Sequence, residues 1–275
     1  FRRVLFRSNP CRPRIFPAAA ALLIVAAMAI AAALLWPSGH SQSALGKFWA
    51  PLVGHARPIL ICLAHPTVYL LADPEMPPPA NEPLSPTAAQ LLQRGIIESA
   101  DQYVGVGDAY AASQFAALFG QLQKPSEIRI GNDVSFSDLR TSPAVLIGAY
   151  SNRWSMRMNM EGRFSFARYS IIDRQQAERV WRLDDLRPGY RSNQDYLLVS
   201  RILRGDSGEP IVLAAGITHA GTHAAAELLT RNDYLEAALR DAPADWPKRS
   251  FQLVLHCKVV GTTPGPPRLV ASHFW

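Results

Sequence analysis

Cysteine is scarce in this chain: Cys11, Cys62 and Cys257 are all that 275 residues contain. Their spacing excludes a zinc-type cluster. Cys62 and Cys257 sit inside apolar, strand-like runs, the opposite of the electropositive setting that activates a thiol. An exported location permits a disulfide between them, although central-strand thiols are ordinarily buried and inert, and both readings stay open. Other signatures are missing too. Ser113, Ser135 and Ser200 lack a Gly-x-Ser-x-Gly elbow, and nothing pairs them with His65, His219, His223 or His256. The sequence therefore names no catalytic residue, no cofactor and no metal, and any enzymatic role rests on residues without a motif.

Charge is also missing over one long stretch. Ile15 to Trp36 is a run of 22 uncharged residues, rich in Ala, Leu and Ile and preceded by Arg12 and Arg14. As a helix it would reach about 33 Å, enough for a hydrocarbon core of about 30 Å. The run exceeds the apolar stretch of a signal peptide, and Ser41-Gln42-Ser43-Ala44 is a weak cleavage site. A buried core helix would carry a polar stripe, which this run lacks. The expectation is a single-pass anchor through 15–36 with the lipid bilayer as partner. Basic residues at 9–14 face the cytoplasm, and the C-terminal domain is extracytoplasmic, held at the inner membrane.

Phe1 to Ser8 resembles the translation of a short sequencing adapter and is set aside from fold reasoning. That resemblance implies an encoded protein that begins upstream of Asn9, with a preceding domain missing from this fragment. Of the 28 basic residues, Arg2, Arg3, Arg7, Arg12 and Arg14 precede Pro37, whereas all 22 acidic residues follow it. The formal charge of +6 thus belongs mostly to the N-terminus. A nearly neutral exported part gives no support to nucleic-acid binding.

Residues 37–57 read as a spacer, with Phe48-Trp49-Ala50-Pro51 as an interfacial or domain-docking aromatic pair, and 58–275 as the folded domain. Pro58 to Ala64 is a continuous apolar run, expected as a strand buried on both faces. Prolines crowd Asp73 to Pro86 and exclude regular structure there. A helix follows from Thr87, and Asp108 offers an N-cap for another running to about Gln123. Short elements at 127–130 (strand), 135–139 (helical turn) and 144–148 (buried strand) continue an alternating rhythm. Phe164 to Tyr169 alternates with period two and should be a half-exposed strand. Asp195 to Leu203 and Ile211 to Ala215, joined by the turn-rich 204–210, predict an antiparallel hairpin. Helices at 222–229 and 233–239 precede a closing β pair, 251–260 and 268–273. The fold class is α/β: a three-layer domain around a mixed sheet, preceded by one transmembrane helix.

Two strand ends carry candidate ligand-binding groups. Ile211 to His223 runs from an apolar strand through a glycine-bearing turn into an Ala-rich helix, so Gly216, Thr218, His219, Gly221, Thr222 and His223 could meet a small polar or anionic ligand with exposed N–H groups. The alternative is close packing of strand and helix at those glycines. Thr222 and His223 replace the Lys and Ser or Thr of a phosphate loop, which argues against nucleoside triphosphates. His219, His223 and Glu227 share one helical face, but the zinc-protease pattern is absent. At the second end, after 144–148, Asn152 could bond a ligand, Arg153 pair with an anion and Trp154 stack on a ring; otherwise Asn152 caps a helix and Trp154 is core. Val104-Gly105-Val106-Gly107-Asp108 holds only half of a dinucleotide fingerprint.

The order of basic residues, anchor, Phe-Trp-x-Pro segment and α/β domain resembles the back half of membrane-anchored one-component transcription regulators of the ToxR and CadC kind. That resemblance of layout implies an N-terminal winged-helix domain in the missing part and an exported sensing domain here; a homodimer is a separate expectation for its assembly. A membrane-tethered hydrolase or transferase using His219, His223 or Asp108, or an envelope scaffold, are the other expectations.

Overall fold

A computed structural model describes residues 43–275, except 74, 76–84, 100, 101, 131, 132, 160 and 161. The expected anchor at 15–36, the adapter-like 1–8 and most of the proline-rich excursion lie outside the described residues. Among the described residues no helix is long and apolar enough to cross a membrane.

In chain order the elements are α1 (Ala44–Val53), β1 (Ile59–Leu63), β2 (Val68–Leu71), α2 (Pro86–Gln93), β3 (Ile96–Ser99), α3 (Val106–Gln121), β4 (Ser126–Ile130), α4 (Phe136–Leu139), β5 (Ala144–Ile147) and α5 (Arg153–Asn159). They continue with β6 (Phe164–Ala167), β7 (Ser170–Asp173), β8 (Gln176–Arg182), β9 (Gln194–Ile202), β10 (Ile211–Gly216), α6 (His219–Thr230), α7 (Asn232–Ala238), β11 (Phe251–Val260), β12 (Thr263–Pro264) and β13 (Arg268–Phe274). The central sheet runs β4-β1-β5-β10-β9-β11, with β12 and β13 on the outer edge of β11. The first four strands are parallel and the rest antiparallel. The mixed α/β character expected from the sequence is what the chain adopts.

Side chains alternate across this sheet, so each strand feeds two cores. Ile59, Ile61, Val145, Ile147, Val212 and Leu255 face α1, α3, α6 and α7. Leu60, Cys62, Leu146, Leu213 and Val254 face α4, α5 and the meander of β6, β7 and β8. The second covering layer is thus partly a small antiparallel sheet rather than helices alone. That meander also explains a departure from expectation: Phe164 and Phe166 and Ser165 between them are all buried, because β6 packs on one sheet while its other face is covered as well. Cys62 and Cys257 are free and belong to opposite cores. Burial pushes each thiol up to about 12.

Of the expected spacer at 37–57, residues 43–57 are described, and they include helix α1 packed on the core. Ser43 caps α1, accepting from Gly46 N, and Phe48 and Trp49 are fully buried in the main core. Trp49 Nε1 donates to Leu229 O at 2.8 Å, and its ring meets Phe115 and Phe119 edge-on. Pro51 lies inside this helix and has no N–H to offer Lys47 O, its partner in the helical ladder. Arg201 of β9 supplies the donor instead, with Nη2 at 3.4 Å from Lys47 O and 2.9 Å from Pro247 O. Its Nη1 donates to Trp246 O and Arg249 O, both at 3.3 Å. The guanidinium is fully buried, with Phe48, Trp246 and Phe251 around it as aromatic faces. Carbonyl oxygens and rings, rather than a carboxylate, surround this cation.

Candidate functional site

The chain passes from β1 to β4 on one side and returns to β5 on the other, so the sheet reverses its order between β1 and β5. In open α/β sheets the crevice beyond the carboxyl ends of such strands is the usual ligand position. Here it is a cleft of about 250 Å³, walled by Pro66 after β1, by Gly148 to Ser151 after β5, by Gly216 to His219 after β10, and by Gly105 and Asp108 of α3. The two strand ends singled out in the sequence therefore do meet, through Tyr150 and Ser151 from one and Gly216, Thr218, His219 and Thr222 from the other.

The glycines serve close approach. A methyl on Gly107 would lie 2.2 Å from His219 O, and one on Gly216 2.3 Å from Gly221 Cα. The starts of α3 and α6 thus touch backbone to backbone. Gly148 has φ +82°, a conformation that favours glycine, and any β-carbon there would stand 3.1 Å from Asp108 Oδ1.

The N–H groups at the start of α6 are not left for a ligand. Asp195, on β9 and fully buried, accepts from Gly221 N at 2.7 Å, Thr218 N at 3.1 Å, Thr218 Oγ1 at 2.5 Å and Tyr196 N at 2.8 Å. Burial raises its carboxyl to about 6 against the pull of these donors. Thr218 Oγ1 also accepts from Ala220 N, and Thr222 Oγ1 accepts from Gly216 N. The protein's own carboxylate occupies the place where the sequence reading put an anionic ligand, because Asp195 on the neighbouring antiparallel strand points at the same helix start.

Asn152 is likewise committed. Its Nδ2 donates to Cys62 O at 3.1 Å and Ile147 O at 2.9 Å, joining the ends of β1 and β5 where they diverge. Its Oδ1 accepts from Trp154 N and Ser155 N at the start of α5. Trp154 is core, with Nε1 on Val134 O, and Arg153 Nη2 donates to the same carbonyl at 2.6 Å. These three hold the crevice's floor together and do not line it. His219 borders the crevice, but His223 does not line it; its ring lies tilted against Tyr110, and its Nε2 is 3.6 Å from Glu227 Oε1. Among the described residues no cluster of three His, Cys, Asp or Glu could hold a metal ion.

What remains is Asp108, expected from the sequence as a cap and, in the enzyme reading, as a reacting group. Asp108 does not cap α3: Gly105 occupies that position with no side-chain bond, and Asp108 lies in the first turn. The residue is 8 % exposed, and its carboxyl lines the crevice with no hydrogen-bond or ion-pair partner among the described residues. Desolvation alone pushes it up to about 6. Beside the crevice, and sharing Tyr150, Ser151 and Tyr190 with it, opens a wider cleft of about 660 Å³ walled by Met156, Phe166 and Tyr169. Tyr169 and Tyr190 face each other at 6.0 Å and both adopt positive φ, 58° and 57°. Sequence reasoning missed these tyrosines, which lie on the β6–β7 turn and on the loop before β9. The Pro188-Gly189 pair was the only local sign. Compared with family models, with curated proteins and with solved structures, the chain matches none.

Proposed function

We propose that the domain spanning residues 43–275 is a small-molecule binding module that senses its ligand in the crevice between β1 and β5. The observation that carries this reading is Asp108, a buried carboxylate aimed into a cleft with no partner of its own. Such a group is expensive to keep unless something binds it, and perturbed carboxyls in clefts mark functional sites. The glycine-lined approach and the tyrosine wall beside it supply the shape and the apolar surface that ligand sites use. With the uncharged run at 15–36, the reading extends to a sensor tethered to the cytoplasmic membrane, its domain outside the cytoplasm, in a signalling or transcription-regulatory protein. Anionic ligands fit least, because Asp195 takes the helix-start donors.

A thermal-shift screen of the protein against a broad metabolite panel tests the binding role. Hits whose stabilisation disappears in Asp108→Asn support it, and silence across the panel removes it. Recovery of the full-length coding sequence tests the signalling role, which fails if no DNA-binding or other signalling domain precedes the uncharged run. Protease protection of a C-terminal tag in intact cells tests the topology.

A second reading, a hydrolase or transferase, is favoured by one specific observation. Asp108, raised to about 6, and His219 border the same crevice and could exchange protons with a substrate. Turnover of ester, phosphate or glycoside substrates that falls in both Asp108→Asn and His219→Ala would establish it. Absence of turnover leaves the binding role alone.

A further inference from the structure

The charge and shape of the crevice narrow its ligand to one chemical class; this step rests on the crevice being the ligand site. Among the described residues no lysine or arginine lines the inner cleft, and Asp108 is the acidic side chain that faces it. A second carboxylate, Asp195, lies directly behind the wall formed by Thr218 and Gly221. The charge of Asp195 is taken up by its four donors, so the negative charge that the cleft itself presents is that of Asp108. A neutral hydroxyl can donate to Asp108 but leaves its charge buried without a counter-charge. A cation removes that deficit, as buried charges require. A bare metal ion is not the fit, since among the described residues no three His, Cys, Asp or Glu side chains come together there to hold one.

The outer cleft then sets the rest of the molecule. Tyr150 and Tyr190 belong to both compartments, and Phe166 and Tyr169 continue the aromatic wall. Tyr150 is fixed by its hydroxyl, which donates to Ala167 O, and its ring meets Phe166 edge-on. Arg168 lies over the Tyr169 ring and lines the outer cleft but not the inner one, so the inner cleft is the favourable position for a ligand cation. We infer that the crevice binds an organic amine, its ammonium on the Asp108 carboxylate and a flat apolar or aromatic body along Tyr150, Tyr169 and Tyr190. The tyrosine faces add cation–π attraction at the junction of the two compartments.

Titration calorimetry of the full chain with four probes of similar size tests this: phenethylamine, its neutral counterpart 2-phenylethanol, the anion phenylacetate, and adenosine as a diol-bearing ring. The expected result is millimolar or tighter binding of phenethylamine. Its affinity should fall at least about tenfold in Asp108→Asn, the loss of one buried charge pairing, and by a smaller factor in Tyr190→Ala, whose ring is 59 % exposed and whose loss does not touch the core. Melting curves of both variants confirm that they are folded. Equal binding of phenethylamine and 2-phenylethanol overturns the cation assignment. Adenosine binding that depends on Asp108, without amine binding, overturns the amine while leaving the crevice as a ligand site. Phenylacetate binding that survives in Asp108→Asn overturns the assigned polarity of the site. Silence of phenethylamine overturns this inference, and only silence across the metabolite panel as well overturns the ligand site itself.

Discussion

Replacing Asp108 with asparagine should make the unliganded protein more stable at pH 8 while removing its ligand. The carboxyl sits at about 6 in the folded protein against 3.8 in a model compound, with desolvation as the cause. A raised carboxyl stabilises the fold fully below the unfolded value, and that contribution is lost as pH rises through 6. A shift of about two units at 1.36 kcal/mol each gives about 3 kcal/mol lost by pH 8. The start of α3 favours a negative charge by about 0.5 kcal/mol and offsets part of that. Asparagine has the same shape and no charge, so the variant should gain about 2 kcal/mol at pH 8 and almost nothing at pH 4. For a domain of this size that is an increase in melting temperature of roughly 4 to 8 °C. The other groups around the site are the same in both proteins, so their contributions largely cancel in the difference. Urea denaturation followed by tryptophan fluorescence at pH 4, 6 and 8 measures it. A variant less stable than the parent at pH 8, or a difference that does not change with pH, would refute the argument and make Asp108 a structural group.

Three further outcomes follow from the packing. Asn152→Ser keeps an acceptor for the start of α5 but loses the donors to Cys62 O and Ile147 O, and should cost about 2 kcal/mol; Asn152→Asp adds a charge facing those carbonyls and should cost more, so an aspartate variant as stable as the serine one in urea would contradict the assignment. Gly107→Ala places a methyl against His219 O and should destabilise by about 1–3 kcal/mol, read as a lower urea midpoint, whereas Gly120→Ala on the same helix, with open space around it, should be neutral or better. With Cys11 changed to serine, the native protein should resist thiol labelling at pH 8 and react only on unfolding, because Cys62 and Cys257 are buried and raised to about 12; rapid native labelling would place a thiol at the surface.

Much of the sheet was legible because its strands are continuous apolar runs. β1, β5, the hairpin of β9 and β10 and the pair of β11 and β13 all stand where such runs stand. Helix α1 was not, since Phe48-Trp49 beside Pro51 reads equally as an interfacial pair. The missing helical hydrogen bond is supplied by Arg201, 154 positions away. Asp108 looked like a cap because aspartate so often caps; Gly105 takes the position through its extended backbone instead. The candidate site was half visible. The sequence marks the ends of β5 and β10 as polar, but only the strand order brings them together. Which donors remain free depends on Asp195 from a third strand, and no local pattern records that.

Strand β9 grips two distant parts of the domain. Near its beginning Asp195 holds the first turn of α6 at the mouth of the crevice, and near its end Arg201 clasps the helix that opens the domain. About 20 Å of extended backbone separates the two. A strain applied at one grip has a stiff rod along which to reach the other, so a guest in the crevice and the first helix of the fold share one continuous support.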